Sequence, residues 1–431
     1  MLVAAALVPL LGRHGGLPLW LAALPCVPPV FALLAHALVG PSGAEQPLLP
    51  LGAALNSTGL LVLTLIAPQF AALQAIWTAL CLVGYALALA FLAREQAFAR
   101  LCQFLFPVAA GLTALTFAVG TNPMGAGPRQ WLAIGPLYFQ PSELLKLGLA
   151  LLLSRELGEG RRGLLLPLLA TGLSVALLLG QEDLGTALIV LALAALLAFA
   201  ARGGARHFAL AGGVVAASAA ALYLLAPRAQ QRLRSWLFPY ADPFGAAYQV
   251  IQAWRALASG GPLGKGLLPG ELLHIPAAHT DMIFPVALER LGLLGLMWLV
   301  GGYGLLLRRM TQLGRLAASK TLALTSLGLS VLVVGQAILI AGGSTGLLPL
   351  TGVTLPFVSY GGSSLLACYL ALAVADARPF TSARPEGAAC GAKGRVIVVQ
   401  KLLLAGLGVI AAWAALWQLA GTALLERFGL A

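Results

Sequence analysis

Acidic residues are few in this chain, 14 among 431, and several stand where an apolar run begins. Asp281 follows His279 and Thr280 in AHTDMIFPVALERLG, at the N-terminus of an apolar helix expected over 283–307. A carboxylate there either caps the helix or, facing a cavity outside the membrane, serves as a general base. Glu289 and Arg290 stand one to two turns deeper in the same helix. In QPSELLKL, Glu143 and Lys146 are three residues apart on one helical face. They read as a stabilising ion pair or as the polar lining of a lipid-substrate cavity, with Lys146 facing an anionic group. Asp183 in QEDLGTALIV caps the following helix through Gly185 or Thr186, or joins a cation or substrate site between helices. The turn SGGPLGKG (259–266) offers backbone N–H groups and the Lys265 ammonium, chemistry suited to phosphate although it lacks a Walker pattern. No nucleophile–base pair and no His/Cys/Asp cluster at metal-ligand spacing is evident, which argues against acyl transfer and zinc hydrolysis.

These residues must be positioned by membrane helices. The chain is 60% hydrophobic and 9% charged, far below the roughly 25% charge of soluble domains. Apolar runs of about 20 residues predict an all-α polytopic membrane protein, not a β-barrel with strands of about 10. Expected segments are 2–12, 17–39, 48–66, 70–93, 101–119, 141–154, 163–180, 184–201, 208–226, 285–307, 321–341, 361–376 and 402–420. The first run lacks a preceding basic residue and a clear cleavage site, so it reads as membrane segment and not as a removed leader. The runs near 141 and 361 are short and begin beside Pro or Gly. They suggest broken helices, tolerated at membrane depth only beside protein or a wet cavity. The five cysteines lie mostly inside apolar runs without C-x-x-C spacing, as buried thiols do.

The net charge of +12 is dispersed over short loops, without the aromatic-interleaved patch that nucleic acid would require. Placing Arg94 and Arg100 in the cytoplasm carries most of the basic residues to that side by alternation, including those of 378–401. The outer face then holds a Gly/Pro-rich loop, 120–140, with Arg129 and Trp131. It also holds the one long loop, 227–284, whose aromatics Trp236, Phe238, Tyr240, Tyr248 and Trp254 argue against simple disorder. Residues 377–397 read as a cytoplasmic linker before an additional C-terminal helix in 398–431, and residues 1–47 as additional N-terminal segments. The stretch GGSTGLLPLTGVTLPFVSYGGSSLL has a backbone too irregular for a helix, with a hydroxyl cluster that includes Ser359. It reads as a re-entrant segment or a cavity wall.

Four ordered stretches, GPLYFQPSELLKL, QEDLGTALIV, SGGPLGKGL…AAHTDMIFPVALERLGLLG and LLPLTGVTLPFVSYGGSS, resemble the SEDS family over residues 48–376. This is the family of shape, elongation, division and sporulation proteins that includes peptidoglycan polymerases. The long N-terminus is similar to that of actinobacterial-type members. The resemblance implies a ten-helix core with a large extracytoplasmic loop, set in the bacterial cytoplasmic membrane. It implies polymerisation of lipid II into glycan strands in elongation or division, with release of undecaprenyl diphosphate. Asp281 then matches the family's essential acid, the proposed general base on the acceptor 4-hydroxyl. Substrate contacts are assigned to Arg129, Trp131, Glu143, Lys146, Asp183, Lys265, His279, Thr280, Glu289 and Ser359. The implied cofactor is a divalent cation, Mg or Mn, with no organic cofactor, and the implied partner is a class B penicillin-binding transpeptidase. The alternatives in other classes are a lipid II flippase and a non-catalytic scaffold for the transpeptidase. Departures from the family pattern fall at Gln130, where an Arg is usual, at Glu182 in place of Pro, at Arg290 in place of Glu, and at Ala277–Ala278 in place of Glu-Gln.

Overall fold

Inside a bilayer every backbone N–H and C=O must be satisfied within the protein, which leaves an apolar run little choice but to become a helix. In the computed structural model, residues 19–39, 48–203, 209, 213, 227–267, 275–377 and 390–427 are described, less positions 95, 124, 126, 136, 161, 162 and 246. The expected segments 2–12 and 208–226 therefore lie outside the described residues or nearly so. A short helix, Leu19–Ala23, and a 3-10 turn, Leu24–Cys26, lead into α1 (Val27–Val39). Then come α2 (Leu48–Ile66), α3 (Pro68–Leu92) and α4 (Ala97–Val119). A two-stranded antiparallel hairpin follows, β1 (Leu132–Ile134) with β2 (Leu137–Phe139). Helices α5 (Pro141–Glu159), α6 (Leu165–Gly180) and α7 (Leu184–Arg202) complete the first half.

The second half begins with α8 (Pro227–Leu237) and α9 (Tyr248–Gly260), so the long outer loop is largely folded. Helix α10 (Ile283–Leu316) is followed by α11 (Lys320–Ser330), a π-helical turn Val331–Gly335, and α12 (Gln336–Ser344). After an irregular stretch come α13 (Gly362–Ala375) and α14 (Cys390–Arg427). Among the described residues, seven helices are long and apolar enough to cross a membrane.

Helix α5 is the hub. It is buried along most of its length, and α4, α6, α7, α11 and α13 pack against it. Close approach depends on small residues, as in other membrane bundles. A Cβ on Gly148 would lie 2.8 Å from the Phe106 backbone, and one on Gly59 would lie 2.2 Å from the Val358 carbonyl oxygen. Polar side chains bridge helices at depth: Asn56 donates to Thr78 Oγ1 at 3.0 Å and to the Tyr369 hydroxyl at 3.3 Å, joining α2, α3 and α13.

Helix α13 is 14 residues long, about 21 Å, short of a hydrocarbon core of about 30 Å. The irregular stretch 345–361 makes up the difference, as a wall inside the protein. Its backbone is satisfied by neighbouring helices: Gln74 Nε2 donates to the Ser359 carbonyl, Gln336 Nε2 to the Thr354 carbonyl, and the Tyr303 hydroxyl to the Pro356 carbonyl. The terminal helix starts at Cys390, well before the expected apolar run at 402. Arg395 explains the early start: its guanidinium donates to the carbonyls of Ala200 and Ala201 at the end of α7.

Candidate functional site

At the outer end of the bundle, three segments converge: the α6–α7 turn, the His279–Asp281 turn and the wall at Thr351–Gly352. Asp183 is the N-cap of α7 and accepts from the Thr186 backbone N–H at 3.1 Å. Its other carboxylate oxygen faces Gln140 Nε2 at 3.4 Å. Two residues on, Gly185 comes so close to the wall that a Cβ there would lie 2.5 Å from the Thr351 carbonyl oxygen. Asp281 approaches from the opposite side. A Cβ on Gly352 would be 3.4 Å from Asp281 Oδ2 and 2.9 Å from Arg232 Nη2. Gly352 also has φ +71°, a backbone that side chains rarely adopt. The missing side chain is what lets a guanidinium and a carboxylate share that space.

Arg232 is the residue that sequence reasoning missed. It lies in the long outer loop 227–284, and its Nη1 donates to the Thr351 carbonyl at 2.7 Å. Trp236, four residues on and therefore on the same face of α8, donates its indole N–H to the Gly346 carbonyl at 2.9 Å. That i, i+4 pair was the available signal: one helix face grips the wall at two points.

Burial pushes the Asp281 carboxyl up to about 6, helped by the nearby Asp183 and opposed by the Arg232 guanidinium and the Thr280 hydroxyl. Burial likewise raises Asp183, against the Thr186 hydrogen bonds and the Lys146 charge. Asp281 does not act as the cap of α10, since the residue preceding that helix is Met282 and no side chain caps its N-terminus. Burial holds His279 below its usual range. Its ring stacks on Phe70 with centroids 4.3 Å apart, and Tyr360 lies near both. Thr280 offers its carbonyl to the Ser359 hydroxyl at 2.7 Å, and Ser359 Oγ in turn accepts from the Leu355 N–H at 2.8 Å. Ser359 is thus a buried brace that fixes the Asp281 turn to the wall.

Glu143 and Lys146 form the ion pair their spacing predicts, 3.0 Å apart and almost fully buried. Lys146 also donates to Gln336 Oε1 at 2.9 Å. A cavity of about 270 Å³, counting its opening, lies here between α5, Gln336 and α13 at Ala367–Ala371. The π turn before Gln336 was not legible in the sequence; such turns often mark functional positions. Charges thus run from Lys146 and Glu143 past Asp183 to Asp281 and Arg232.

Lys265 and Glu289 form a separate cluster. Lys265 Nζ pairs with the buried Glu289 carboxylate, which also accepts from Ser259 at 3.3 Å. The backbone N–H groups of Lys265 and Gly266, expected to suit phosphate, instead donate to the carbonyls of Glu289 and Arg290 at 2.8 and 3.0 Å. Those carbonyls are freed because α10 kinks at Gly292, where φ is +58°. This turn is a structural dock for the kink. Arg129 is exposed beside the hairpin, and Trp131 pairs its backbone with Thr121. The neighbour that reaches inward is Gln130, whose Nε2 donates to the Gln181 carbonyl at 2.7 Å. Glu182 has φ +55°, a conformation closed to the proline usual there, whose ring locks φ near −65°.

The architecture is that of an all-α, multi-pass membrane protein with a cluster of charged side chains at its outer end. Residues 62–377 match the family model described as cell cycle protein, FtsW/RodA/SpoVE. The chain belongs to that family, which its four motifs resemble. It is 39% identical over 277 residues to the probable peptidoglycan glycosyltransferase FtsW of Nitrosococcus halophilus, covering 61% of this chain and 71% of that protein. It is 31% identical over 272 residues to stage V sporulation protein E of Bacillus subtilis, covering 61% and 74%. Among solved structures it is similar to a chain from "Structural coordination of polymerization and crosslinking by a peptidoglycan synthase complex", with a TM-score of 0.64 and 36% identity over 76% of this chain and 95% of that one. It is also similar to the rod shape determining protein RodA of Thermus thermophilus, with a TM-score of 0.56 and 30% identity over 76% and 94%. Family and helices together make it a multi-pass protein of the bacterial inner membrane.

Proposed function

We propose that this protein is a peptidoglycan glycosyltransferase that polymerises lipid II, with Asp281 as general base. The observation that carries the assignment is the meeting of Asp281, Arg232 and the Asp183 turn at the outer end of the bundle, on a wall fixed from several helices. The acceptor 4-hydroxyl forms the new glycosidic bond and gives its proton to Asp281. The bond from the donor's anomeric carbon to the lipid diphosphate breaks, and undecaprenyl diphosphate leaves with the electron pair. A carboxylate held near 6 is ionised at neutral pH yet basic enough to take that proton. Arg232 supplies fixed positive charge where the leaving diphosphate develops negative charge, and a guanidinium suits phosphate oxygens in two-point contact. Lys146 and the cavity beside it extend the polar path into the bundle, toward the lipid end of a substrate.

A divalent cation fits this site only in part. Among the described residues no three His, Cys, Asp or Glu side chains converge as a metal site. Magnesium, however, is often held by one or two carboxylates together with substrate phosphates. Asp183 is the carboxylate that would serve, leaving Asp281 free to take the proton, and the cation would add positive charge against the diphosphate. The proposed partner is a class B penicillin-binding transpeptidase, a reading supported by the similarity to a chain of a peptidoglycan synthase complex. The test is purified protein with lipid II in a bilayer, with and without chelator. Glycan strands are the expected product. Transbilayer movement of lipid II without polymer would indicate a transporter, and binding to the transpeptidase with neither would indicate a scaffold.

A further inference from the structure

The terminal helix α14 is 38 residues long, about 57 Å, and one of its faces meets lipid while the other meets the core. Val398, Leu402, Val409 and Leu419 are half or more exposed along the lipid side. The inner side carries polar and aromatic groups at specific depths. Toward the cytoplasm, Gln400 Nε2 donates to Ser330 Oγ at 3.0 Å. Toward the outer end, one side chain reaches the wall and two reach α9 and α10. Trp413 Nε1 donates to the Thr345 carbonyl at 2.9 Å, at the start of the wall. Trp417 stacks on Trp254 of α9 with centroids 5.3 Å apart. Gln418 Nε2 donates to the Leu288 carbonyl at 3.0 Å, beside Glu289 and the kink.

The contacts continue inward without a gap. Trp254 lies against Gly346, where a Cβ would be 2.5 Å from its ring. The Gly346 carbonyl holds Trp236 of α8, and one turn earlier on that helix stands Arg232, gripping Thr351 and facing Asp281 across Gly352. Both ends of the wall's outer portion, Thr345 and Thr351, are therefore fixed by side chains whose own support includes α14.

We propose that α14 is a built-in clamp for the site, in which Trp413, Trp417 and Gln418 are positioning residues that hold the Gly346–Gly352 wall and Arg232 in register with Asp281. The clamp rests on the reading that Arg232 and Asp281 act in polymerisation. A helix that served only to fill a groove would need apolar side chains here. What the sequence places there is two indoles and an amide, directed at the wall, at α9 behind it and at α10 beside the Gly292 kink.

The experiment uses the full chain in lipid nanodiscs and compares Trp417→Ala, Trp417→Phe, the double variant Trp413→Phe/Gln418→Leu, and the lipid-facing control Leu419→Ala. Two readouts are taken: amide hydrogen exchange, and the pH dependence of lipid II polymerisation. Trp417→Ala is expected to speed exchange in 228–237 and 345–352 by about fivefold or more. It should lower kcat by about tenfold with KM changed by less than about threefold, and move the acid limb of the profile to higher pH as Arg232 loosens. Trp417→Phe, which keeps a stacked ring, should restore all three, and Leu419→Ala should change none. Wild-type exchange in both segments, with an unmoved acid limb, overturns the clamp. If Trp417→Ala does not fold, the double variant, which retains apolar packing, is read by the same criteria. Were Asp281→Asn to polymerise normally, the general-base reading would fail, while exchange in 228–237 and 345–352 would still decide the clamp.

Discussion

Replacing Arg232 by methionine removes the cation that faces Asp281 while keeping most of the side-chain volume. Arg232 Nη2 and Asp281 Oδ2 lie within 2.9 and 3.4 Å of one point, the site of a Cβ on Gly352, so they are separated by at most about 6 Å. Two unit charges about 6 Å apart interact by about 3 kcal/mol at an effective dielectric near 20, equivalent to about 2 pH units. Arg232 and Asp281 are both partly exposed, and water reduces this, so a shift of about 1–2 units is expected. The sign follows from Asp281, whose carboxyl stands at about 6 with Arg232 beside it. Without the cation its ionised form is less favoured, its value rises toward about 7–8, and the base is protonated over more of the neutral range. The acid limb of kcat/KM for lipid II polymerisation should move up by that amount, and part of the lost rate should return by pH 9. The diphosphate also loses its guanidinium, so the plateau itself should fall by about 10²–10³. The assay is initial-rate polymerisation from pH 5 to 9 on purified protein. An acid limb that stays in place or moves to lower pH refutes the pairing.

Three other perturbations test neighbouring parts of the account. Glu143→Ala or Lys146→Met leaves one buried charge without its partner and should cost about 3–5 kcal/mol of stability; Glu143→Leu/Lys146→Met together should recover most of it in thermal unfolding yet restore no activity. Ser359→Ala removes the brace between the Thr280 carbonyl and the Leu355 N–H. It should cost about 1–3 kcal/mol and lower kcat more than it raises KM, as steady-state kinetics on lipid II would show. Asp376 is buried at the end of α13, where it accepts from the Tyr85 hydroxyl at 2.9 Å. Tyr85→Phe removes that donor and should cost about 1–3 kcal/mol, measured as a lowered unfolding temperature.

Much of the helical frame was legible because period and length carry it. The run 48–66 is helix α2 end to end, while α3 starts at Pro68, two residues before the expected 70, and α5 runs past the expected 154 to Glu159. The Glu143–Lys146 pair was equally legible, since three-residue spacing on a helix leaves little freedom. What was hidden depends on contacts far apart in sequence. Nothing local to Arg232 tells that Gly352 leaves room for it beside Asp281, or that the Gly292 kink takes up the N–H groups of Lys265 and Gly266. Two of the donors that the turn offers to phosphate are in this way satisfied by the chain itself. Nor does the hydroxyl cluster around Ser359 tell that its Oγ joins the wall to the Thr280 carbonyl, 79 residues away in sequence. The capping reading divided as well. Asp183 does cap its helix, and Asp281 does not.

The measurement that bears most directly on the central claim is polymerisation by Asp281→Asn beside the unaltered protein, with lipid II binding and unfolding temperature taken on the same preparations. Asparagine keeps the size of the side chain and cannot take the proton. The account predicts lipid II binding and an unfolding temperature near those of the unaltered protein, with no glycan strands at any pH from 5 to 9. Glycan strands formed at an undiminished rate would contradict it.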